Sequence, residues 1–487
     1  MFLWFLTLAS LLTVPSAIAG TTVVGTGIPD EDVINVREAI NEGGTVLLRG
    51  FFHFGDETTK YTGGDAYLKA YGFVDILNGV EIVGENATIY GGVGPFWVET
   101  PGSDVIIKGS DKNNRLTFAD ALWAAIVVVD CESLTIKNVD IDGVNSLPYF
   151  ENEEVFGERY GIRVGYWGPS PPDIPLRIGK LSIVGCNIDL GSYEYDYEHG
   201  TGIFTWGIGT PENEVEILIK GNTVRNCSLH GMGLFNIAGT LSVKGNIMRP
   251  GNKAFPYWEA IAANGIWALQ TVGWPFDLPG GYEEYQSDWV SAVIKNNDIH
   301  CEPNTFDNDA RAIAILALRQ VGTVIKNNNI RVDGGLFCIV VDDGSDGFTV
   351  KRNICSGSDL VGAIGVGGSA KNCKIKNNDF SAATPLEAQV SIQKDANNIS
   401  VIKNYLGPGG DAGGIYCAGF NNKIFYNAFH GDYPGWPDNG FLFLDEESHD
   451  NRVSDLRQAT YHSLTLCELV KDLGTNNKIS GYRNCTH

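Results

Sequence analysis

The sequence has 487 residues, with 58 acidic and 35 basic side chains and a formal net charge of −23. This acidic balance excludes nucleic acid and anionic membrane surfaces as expected partners, because both select basic patches, and it argues mildly against a polyanionic glycan. The 60 glycines and the 43% hydrophobic content are typical of a turn-rich β protein with a large core.

The N-terminal segment predicts entry into the secretory pathway. Residues 1–19 form an apolar run that ends on Ala17-Ile18-Ala19, the small-residue pattern of a signal-peptide cleavage site. This run is too short for a spanning helix, and no later stretch reaches the roughly 20 apolar residues that spanning needs. We therefore expect a secreted or vesicular-lumen protein, with residues 20–487 as a single domain and a monomer as the default state.

Ten cysteines, none of them in a CxxC pair, favour disulfides in that oxidising compartment over a metal cluster. One candidate pair is Cys467 with Cys485. Sequons of the N-x-Ser/Thr type make four asparagines candidate glycosylation sites, and they are Asn86, Asn226, Asn398 and Asn484. We expect no cofactor and no bound metal.

After the signal, the stretch "PDEDVINVREAINEGGTVLL" predicts a short helix over about 30–42. Val33, Val36 and Ile40 fall on one face of this helix, and Gly43-Gly44 ends it. Beyond residue 42 the sequence shows short β-branched runs of period two separated by Asn and Gly turns, with almost no helix signal.

One phrase then recurs, most clearly as "IKNNDI" at Ile294 and "IKNNNI" at Ile325. The turn asparagines Asn328, Asn353, Asn378, Asn404 and Asn427 are 25, 25, 26 and 23 residues apart, a period that marks solenoids. Asn suits such turns because it tolerates left-handed backbone angles, and stacked coils allow successive amides to bond each other as a ladder.

On these residues the chain resembles the pectin-lyase-like superfamily of right-handed parallel β-helices, from Pro29 to the C terminus. The resemblance implies an all-β solenoid in which an Asn turn separates two strands of each coil and the short N-terminal helix caps the stack. The repeats are looser from Ser448 onward, which predicts a less regular C-terminal cap over about 448–487.

A second strand in each coil begins with Gly-Ile or a similar pair, as in "YGIRVGYWG" and "TGIFTWG". We align these strands by placing Ile162, Ile203, Leu234, Ile266 and Ile313 inward, so that the residues after them point outward. The resulting substrate-binding candidates are Arg163, Phe204, Trp206, Phe235 and Trp267, with Arg311 nearby. Superfamily members bind substrate on one outward strand face, so the resemblance implies an apolar shelf in a cleft. The alternative is that loops cover this column as ordinary core.

Three residues before the glycine of each aligned strand, or its equivalent, a titratable side chain recurs. The candidates are Glu158, His199, His230 and Asp309, with Glu198, Glu259 and Arg311 flanking them. Neighbouring carboxylate and imidazole groups can shift each other's pKa toward neutrality and act as general acid and base. Glu158 beside His199 is the most suggestive pair, although a lone His before Gly is more often a loop hydrogen-bonder.

The motifs of polysaccharide hydrolases in this superfamily are missing, since the chain contains neither NTD nor RIK. No basic row for uronate elimination appears on the aligned strands, although Arg163 and Arg311 remain. The preferred hypothesis is a non-hydrolytic isomerase, lyase or cyclase, possible Diels–Alder chemistry included, that shapes a mainly apolar small molecule by holding a reactive conformer. The alternative is a secreted carbohydrate-active enzyme or glycan-binding module. A non-catalytic wall protein is a third possibility.

Overall fold

The computed structural model describes residues 20–55, 72–145, 158–165, 178–191, 199–209, 213–250, 259–264, 290–302, 312–318, 320–342, 344–407, 409–430, 441–458 and 470–480. The predicted signal peptide and the Cys467–Cys485 pair lie outside these residues. Both remain predictions, as does secretion.

The N-terminal helix α1 spans Pro29–Glu42 and confirms the predicted cap. Proline at its start has no amide hydrogen to leave unbonded, and Gly43 ends the helix with a φ of 75°. The buried Asp32 carboxylate accepts backbone hydrogen bonds from Thr26, Gly27 and His53 at 2.7–2.9 Å. These bonds fix the helix to the first strands of the stack.

In the described part of the chain, strands follow α1 in a regular series, with one strand before it. The N-terminal half contains β1 Thr21–Val24, β2 Gly44–His53, β3 Val74–Ile76, β4 Val80–Tyr90, β5 Phe96–Gly109, β6 Leu116–Leu122, β7 Ala124–Lys137, β8 Val139–Asn145, β9 Glu158–Gly165, β10 Lys180–Val184, β11 Asn187–Asp189, β12 His199–Ile208, β13 Val215–Lys220, β14 Thr223–Arg225, β15 His230–Ile237, β16 Gly239–Lys244, β17 Ile247–Arg249 and β18 Glu259–Asn264. The C-terminal half contains β19 Val290–Lys295, β20 Asp298–Cys301, β21 Ile313–Leu318, β22 Val324–Lys326, β23 Asn329–Val332, β24 Phe337–Asp342, β25 Thr349–Lys351, β26 Ile354–Val366, β27 Lys374–Lys376, β28 Asp379–Ile392, β29 Ser400–Ile402, β30 Tyr405–Leu406, β31 Ile415–Cys417, β32 Lys423–Phe425, β33 Ala428–Phe429, β34 Leu442–Leu444, β35 Arg452–Ser454, β36 Arg457–Gln458, β37 Val470–Asp472 and β38 Lys478–Ser480.

These strands stack in parallel on three faces, one turn of the chain per coil. Face A holds the strands that precede the buried Asn turn, such as β13, β16, β19 and β22. Face B holds those that follow it, such as β14, β17 and β20. Face C holds those that follow the longer loops, such as β9, β12, β15, β18 and β21. Successive coils are therefore about 4.8 Å apart, and the predicted right-handed parallel β-helix is confirmed.

The Asn ladder is confirmed at the predicted turns. The side-chain nitrogen of Asn328 donates to the side-chain oxygen of Asn353 at 2.9 Å, and the same bond continues from Asn353 to Asn378 at 3.0 Å. The ladder also extends upstream through Asn222, Asn246 and Asn297. Each buried amide is bonded on both sides, which meets the requirement that buried polar groups be satisfied.

The interior of the coil stack is one continuous apolar core, which runs from Val23 to Leu456. It also holds eight of the ten cysteines, and this confines the disulfide prediction to Cys467 and Cys485. The eight described cysteines are all free and buried, and they are Cys131, Cys186, Cys227, Cys301, Cys338, Cys355, Cys373 and Cys417. An inward position on a coil suits Cys as a small apolar side chain, so the even count reflects packing at these sites.

Within the described ranges, no helix has the length and apolar character required to cross a bilayer.

Candidate functional site

A second group of apolar side chains lies outside the core, on the outward side of face C. Phe73, Trp97 and Trp123 form its first part, with ring centroids 6.0 Å apart in each neighbouring pair. The row continues from Trp123 to Tyr160 at 6.1 Å and from Tyr160 to Phe204 at 5.1 Å. Because neighbouring rings sit on successive coils, we call this group the aromatic row, and it is completed by Trp206 and Phe235.

Arg163 lies at the centre of the aromatic row. Its guanidinium carbon is 4.6 Å from the ring centroid of Tyr160, 5.2 Å from that of Trp123 and 5.3 Å from that of Phe204. Such cation–π contacts are attractive, and more so where water is excluded. The Arg163 side chain is only 5% exposed, so it positions the three rings and is poorly placed to contact a ligand itself.

Trp123 adopts an unusual backbone conformation, with a φ of 66°. A bulky residue rarely occupies this left-handed region, because its side chain crowds the backbone. The conformation is held by two backbone hydrogen bonds of 2.8 Å, one donated by Trp123 to the Asn145 carbonyl and one accepted from the Tyr160 amide. Strain of this kind is enriched at functional sites, which makes Trp123 a site candidate.

The C-terminal end of the aromatic row is partly accessible. Phe204 and Trp206 are two residues apart on β12, are half-buried, and have rings parallel to within 9°. Phe235 lies beneath them, buried, with centroids 5.7 Å from Phe204 and 6.0 Å from Trp206. The row thus combines a buried base with half-buried rings that face outward, and its use as a substrate shelf stays a prediction.

The strand register corrects the predicted alignment of β15. Met232, and not Leu234, pairs with the inward Ile203, so Gly233 pairs with Phe204 and Phe235 pairs with Trp206. The stretch "HGMG" offers two glycines, and the first of them takes the corner position that Gly202 occupies in the preceding coil. The prediction aligned the second glycine with Gly202, so it placed β15 two residues out of register.

The same register divides the predicted titratable row. Glu158 pairs directly with His199, but His230 pairs with Thr201. On its other side His230 pairs with Glu259, which was predicted only as a residue flanking the titratable row. The strand register of face C therefore contains two Glu–His pairs, Glu158 with His199 and His230 with Glu259. The His230 ring is buried and packs edge-on against Phe235 at 5.2 Å.

Further predicted site residues differ in how they are placed. Asp309, Arg311, Trp267 and Asn484 lie outside the described residues, so their roles stay predictions. In the coil of β21, Ile315 is in register with the inward Met232 through β18 and lies in the core, whereas Ile313 packs in the outer cluster, which corrects its predicted inward position. Leu316 and Leu318 then point outward and form an aliphatic cluster with Val340.

Three of the predicted glycosylation sites occupy left-handed turns, with φ of 53° at Asn86, 55° at Asn226 and 53° at Asn398. The amide nitrogens of Asn226 and Asn398 also donate hydrogen bonds of 2.6 Å, to Asp189 and Asn372 respectively. These turn roles give a structural reason for Asn at each site. Glycosylation itself stays a prediction.

Sequence reasoning missed Trp97, Trp123 and Tyr160, which form the N-terminal half of the aromatic row. The aligned strands started at Ile162, although "LWAAIV" and "FWVET" supply outward aromatic residues one and two coils earlier. Tyr160 was missed for another reason. A corner at Gly161 turns it outward, and strict alternation from Ile162 places it inward.

The chain matches no family model and no curated protein sequence. Its fold is similar to that of DFA-IIIase from Arthrobacter chlorophenolicus A6 without its lid in complex with GF2, at 14% identity and a TM-score of 0.44, over 97% of this chain and 98% of that chain. It is also similar to bacteriophage CBA120 tailspike protein 3, at 12% identity and a TM-score of 0.43, over 98% and 66% of the two chains. A third similar structure is the Azotobacter vinelandii mannuronan C-5 epimerase AlgE6 A-module, at 12% identity and a TM-score of 0.28, over 93% and 95%. Similarity at this level concerns the fold alone.

Proposed function

We propose that the protein binds a carbohydrate chain along face C, with the aromatic row as its platform. The observation that carries this proposal is the continuity of the row, which runs from Phe73 to Phe235 with neighbouring rings 5.1–6.1 Å apart. Sugar rings have apolar faces that pack on aromatic rings, and their hydroxyls bond polar groups at the edge of a site. Trp97, Phe204 and Trp206 supply the accessible ring surface.

The two Glu–His pairs of the strand register support a chemical step on the bound carbohydrate. Parallel neighbours on adjacent strands are close enough for a carboxylate to influence an imidazole, and such a pair can take and return a proton near neutral pH. We assign this role to Glu158 with His199 and to His230 with Glu259. The reaction is proton transfer on a sugar ring or at a glycosidic oxygen.

The experiment is a binding panel of neutral and uronic polysaccharides, followed by mass spectrometry of the products. We expect Trp206→Ala to weaken binding of the best ligand about tenfold, the contribution of one well-packed aromatic contact. Tyr405→Ala is the matched control, because Tyr405 is an exposed aromatic residue on face B. Absence of binding across the whole panel would reject the proposal. Products that persist unchanged in Glu158→Gln and Glu259→Gln would reject only the chemical step.

A second candidate function is non-hydrolytic chemistry on an apolar small molecule. It is favoured by the burial of the site, since Trp123, Arg163, His230 and Phe235 are each at most 5% exposed. A buried imidazole beside aromatic rings is suited to hold an apolar ligand in a reactive conformation, because the rings keep water out. Small-molecule extracts from cells with and without the protein test it, and unchanged profiles for both His230→Ala and Trp267→Ala would exclude it.

A further inference from the structure

Two parts of the aromatic row share one position of the strand register. On five successive coils of face C, the outward residues in register are Asp75, Trp97, Val127, Arg163 and Phe204. Trp97 and Phe204 are therefore separated by three coil steps, or about 14 Å along the stack. Both rings are half-buried and have accessible surface, as has Trp206, two residues after Phe204.

The surface between these two contact points is closed. Val127 is 1% exposed and Arg163 is 5% exposed, and both lie against the rings of Trp123 and Tyr160. These two rings are themselves only 5% exposed. A ligand that follows the row therefore meets accessible rings at its two ends and a packed, mainly apolar floor between them.

The basic groups beside this floor are engaged by the protein itself. Within two residues of any ring in the row, the basic side chains of the described chain are Arg159 and Arg163, and both are at most 5% exposed. Three rings surround the Arg163 guanidinium, and Arg159 donates to the Val144 carbonyl at 2.8 Å. Arg37, on α1, donates to the Phe73 carbonyl at 2.8 Å.

Acidic side chains border the row at its Trp97 end. Asp75 precedes Trp97 in the same register column, and the exposed Glu99 follows Trp97 by two residues. Glu99 is in register with the half-buried Asp130 on the next coil. A ligand carboxylate at this end would meet like charge, which selects against it, whereas sugar hydroxyls can donate hydrogen bonds to these carboxylates.

We propose that the aromatic row binds an uncharged, extended glycan whose sugars are joined through equatorial bonds, as in cellulose-type and mannan-type chains. This inference rests on the proposed function of face C and specifies its ligand. Equatorial bonds at both ends of a sugar ring keep the chain straight, so it can follow a straight register column. An axial bond curves the chain, so its rings leave the column.

The register also sets the shortest chain that uses the whole row. The strands β5, β7, β9 and β12 are neighbours on four successive coils, from Trp97 to Phe204. One sugar ring on each of these coils places the first ring on Trp97 and the last on the Phe204–Trp206 pair. A tetrasaccharide therefore reaches both accessible contact points, and a trisaccharide reaches one.

The test measures the affinity of the whole protein for cello- and manno-oligosaccharides, from disaccharide to hexasaccharide, by calorimetry. We expect affinity to rise about tenfold between the trisaccharide and the tetrasaccharide, because only the longer chain gains the second aromatic contact. In Trp97→Ala this step should disappear while trisaccharide binding remains. The matched control is Phe443→Ala, because Phe443 is a half-buried ring in the same register column, eight coils beyond Phe204.

Two further ligands separate linkage from charge. Malto-oligosaccharides contain the same sugar as cello-oligosaccharides but have an axial bond at each linkage. Cellouronates have the cellulose backbone with a carboxylate on each ring. We expect each of them to bind at least about tenfold more weakly than the cello-oligosaccharide of equal length.

The outcomes that overturn this inference differ from those that reject glycan binding itself. A gradual rise of affinity with chain length, or a step that persists in Trp97→Ala, overturns the two-contact geometry. Equal or tighter binding of malto-oligosaccharides or cellouronates overturns the ligand class, as does binding confined to other polysaccharides. The length series of the unsubstituted protein decides the geometry even if Trp97→Ala fails to fold. Absence of binding to every glycan rejects the proposed function together with the inference.

Discussion

At Trp123, backbone strain and side-chain packing oppose each other. The left-handed φ of 66° crowds the side chain, yet the indole is buried between Trp97 and Tyr160 and contacts the Arg163 guanidinium. A glycine at this position would relieve the backbone strain but would leave a gap at the centre of the aromatic row. The presence of tryptophan therefore indicates that the ring contacts outweigh the backbone strain at this position.

This balance predicts an unusual order of stabilities. Trp123→Ala loses the ring and keeps the strain, whereas Trp123→Gly loses the ring and relieves the strain. We expect both to be destabilised by about 3–5 kcal/mol through the lost ring, with the Gly variant about 1 kcal/mol more stable than the Ala variant. Urea unfolding followed by tryptophan fluorescence measures the difference.

Phe235 provides the control, because it is a buried ring of the same row at an ordinary strand φ. There the Gly variant should be less stable than the Ala variant by about 0.5–1 kcal/mol, as glycine costs more in a strand. The same order at both residues would contradict the role of strain at Trp123.

At the scale of the element, one six-residue phrase supplies a turn residue, a ladder residue and an outward lysine. In "IKNNNI", Asn327 takes the left-handed turn with a φ of 54°, Asn328 is buried in the ladder, and Asn329 lies exposed on β23. Lys326 precedes the turn and is in register with Lys295 and Lys351. The framework role of the asparagines was predictable from spacing, because a buried amide is needed once per coil. The lysine of the phrase also recurs in the sequence, but its stacking on the lysines of the neighbouring coils is shown only by the strand register.

Two adjacent asparagines of this phrase should differ sharply on substitution. Asn328→Ala removes bonds to Asn297, Asn353 and the Ile294 carbonyl and leaves buried groups unsatisfied. We expect a loss of about 3 kcal/mol or more in the free energy of unfolding. Asn329→Ala removes only the exposed bond to Asp298, and we expect a loss below about 1 kcal/mol. Similar losses in both variants, measured by chemical denaturation, would show that the ladder is not the source of stability.

At the scale of the whole molecule, the architecture was predictable and the site only in part. Repeat spacing and period-two alternation determine coil number and inward faces, so Asn353, Phe204 and Trp206 were placed correctly. Positions beside corners were not, because Gly161 and the two glycines of "HGMG" allow more than one register and only pairing with the next coil decides between them. Cysteine count likewise misled, because pairing depends on where a thiol points.

The buried thiols inside the coil stack should be unreactive in the native protein. Burial raises the pKa of Cys186 to about 11 and the pKa of Cys131, Cys227, Cys373 and Cys417 to about 12. Because a raised thiol pKa keeps the neutral form, these residues should resist a thiolate-specific reagent in the native protein from pH 7 to about pH 9. They should react fully after unfolding in denaturant.

Peptide mapping by mass spectrometry identifies the labelled sites, with the same peptides from the unfolded protein as the comparison. Rapid native labelling at Cys227 or Cys417 would contradict the prediction. A disulfide among the eight described cysteines would contradict it as well.

The constant separation of the coils limits which polymers can follow the aromatic row in step. Any polymer whose repeat differs from about 4.8 Å drifts out of phase with the stack, by about 2.4 Å after five steps if the mismatch is a tenth. An aromatic ring has only two side-chain torsions and cannot move far enough to correct such an error. The aromatic row is therefore a rigid contact, and it favours a chain whose repeat matches the separation of the coils.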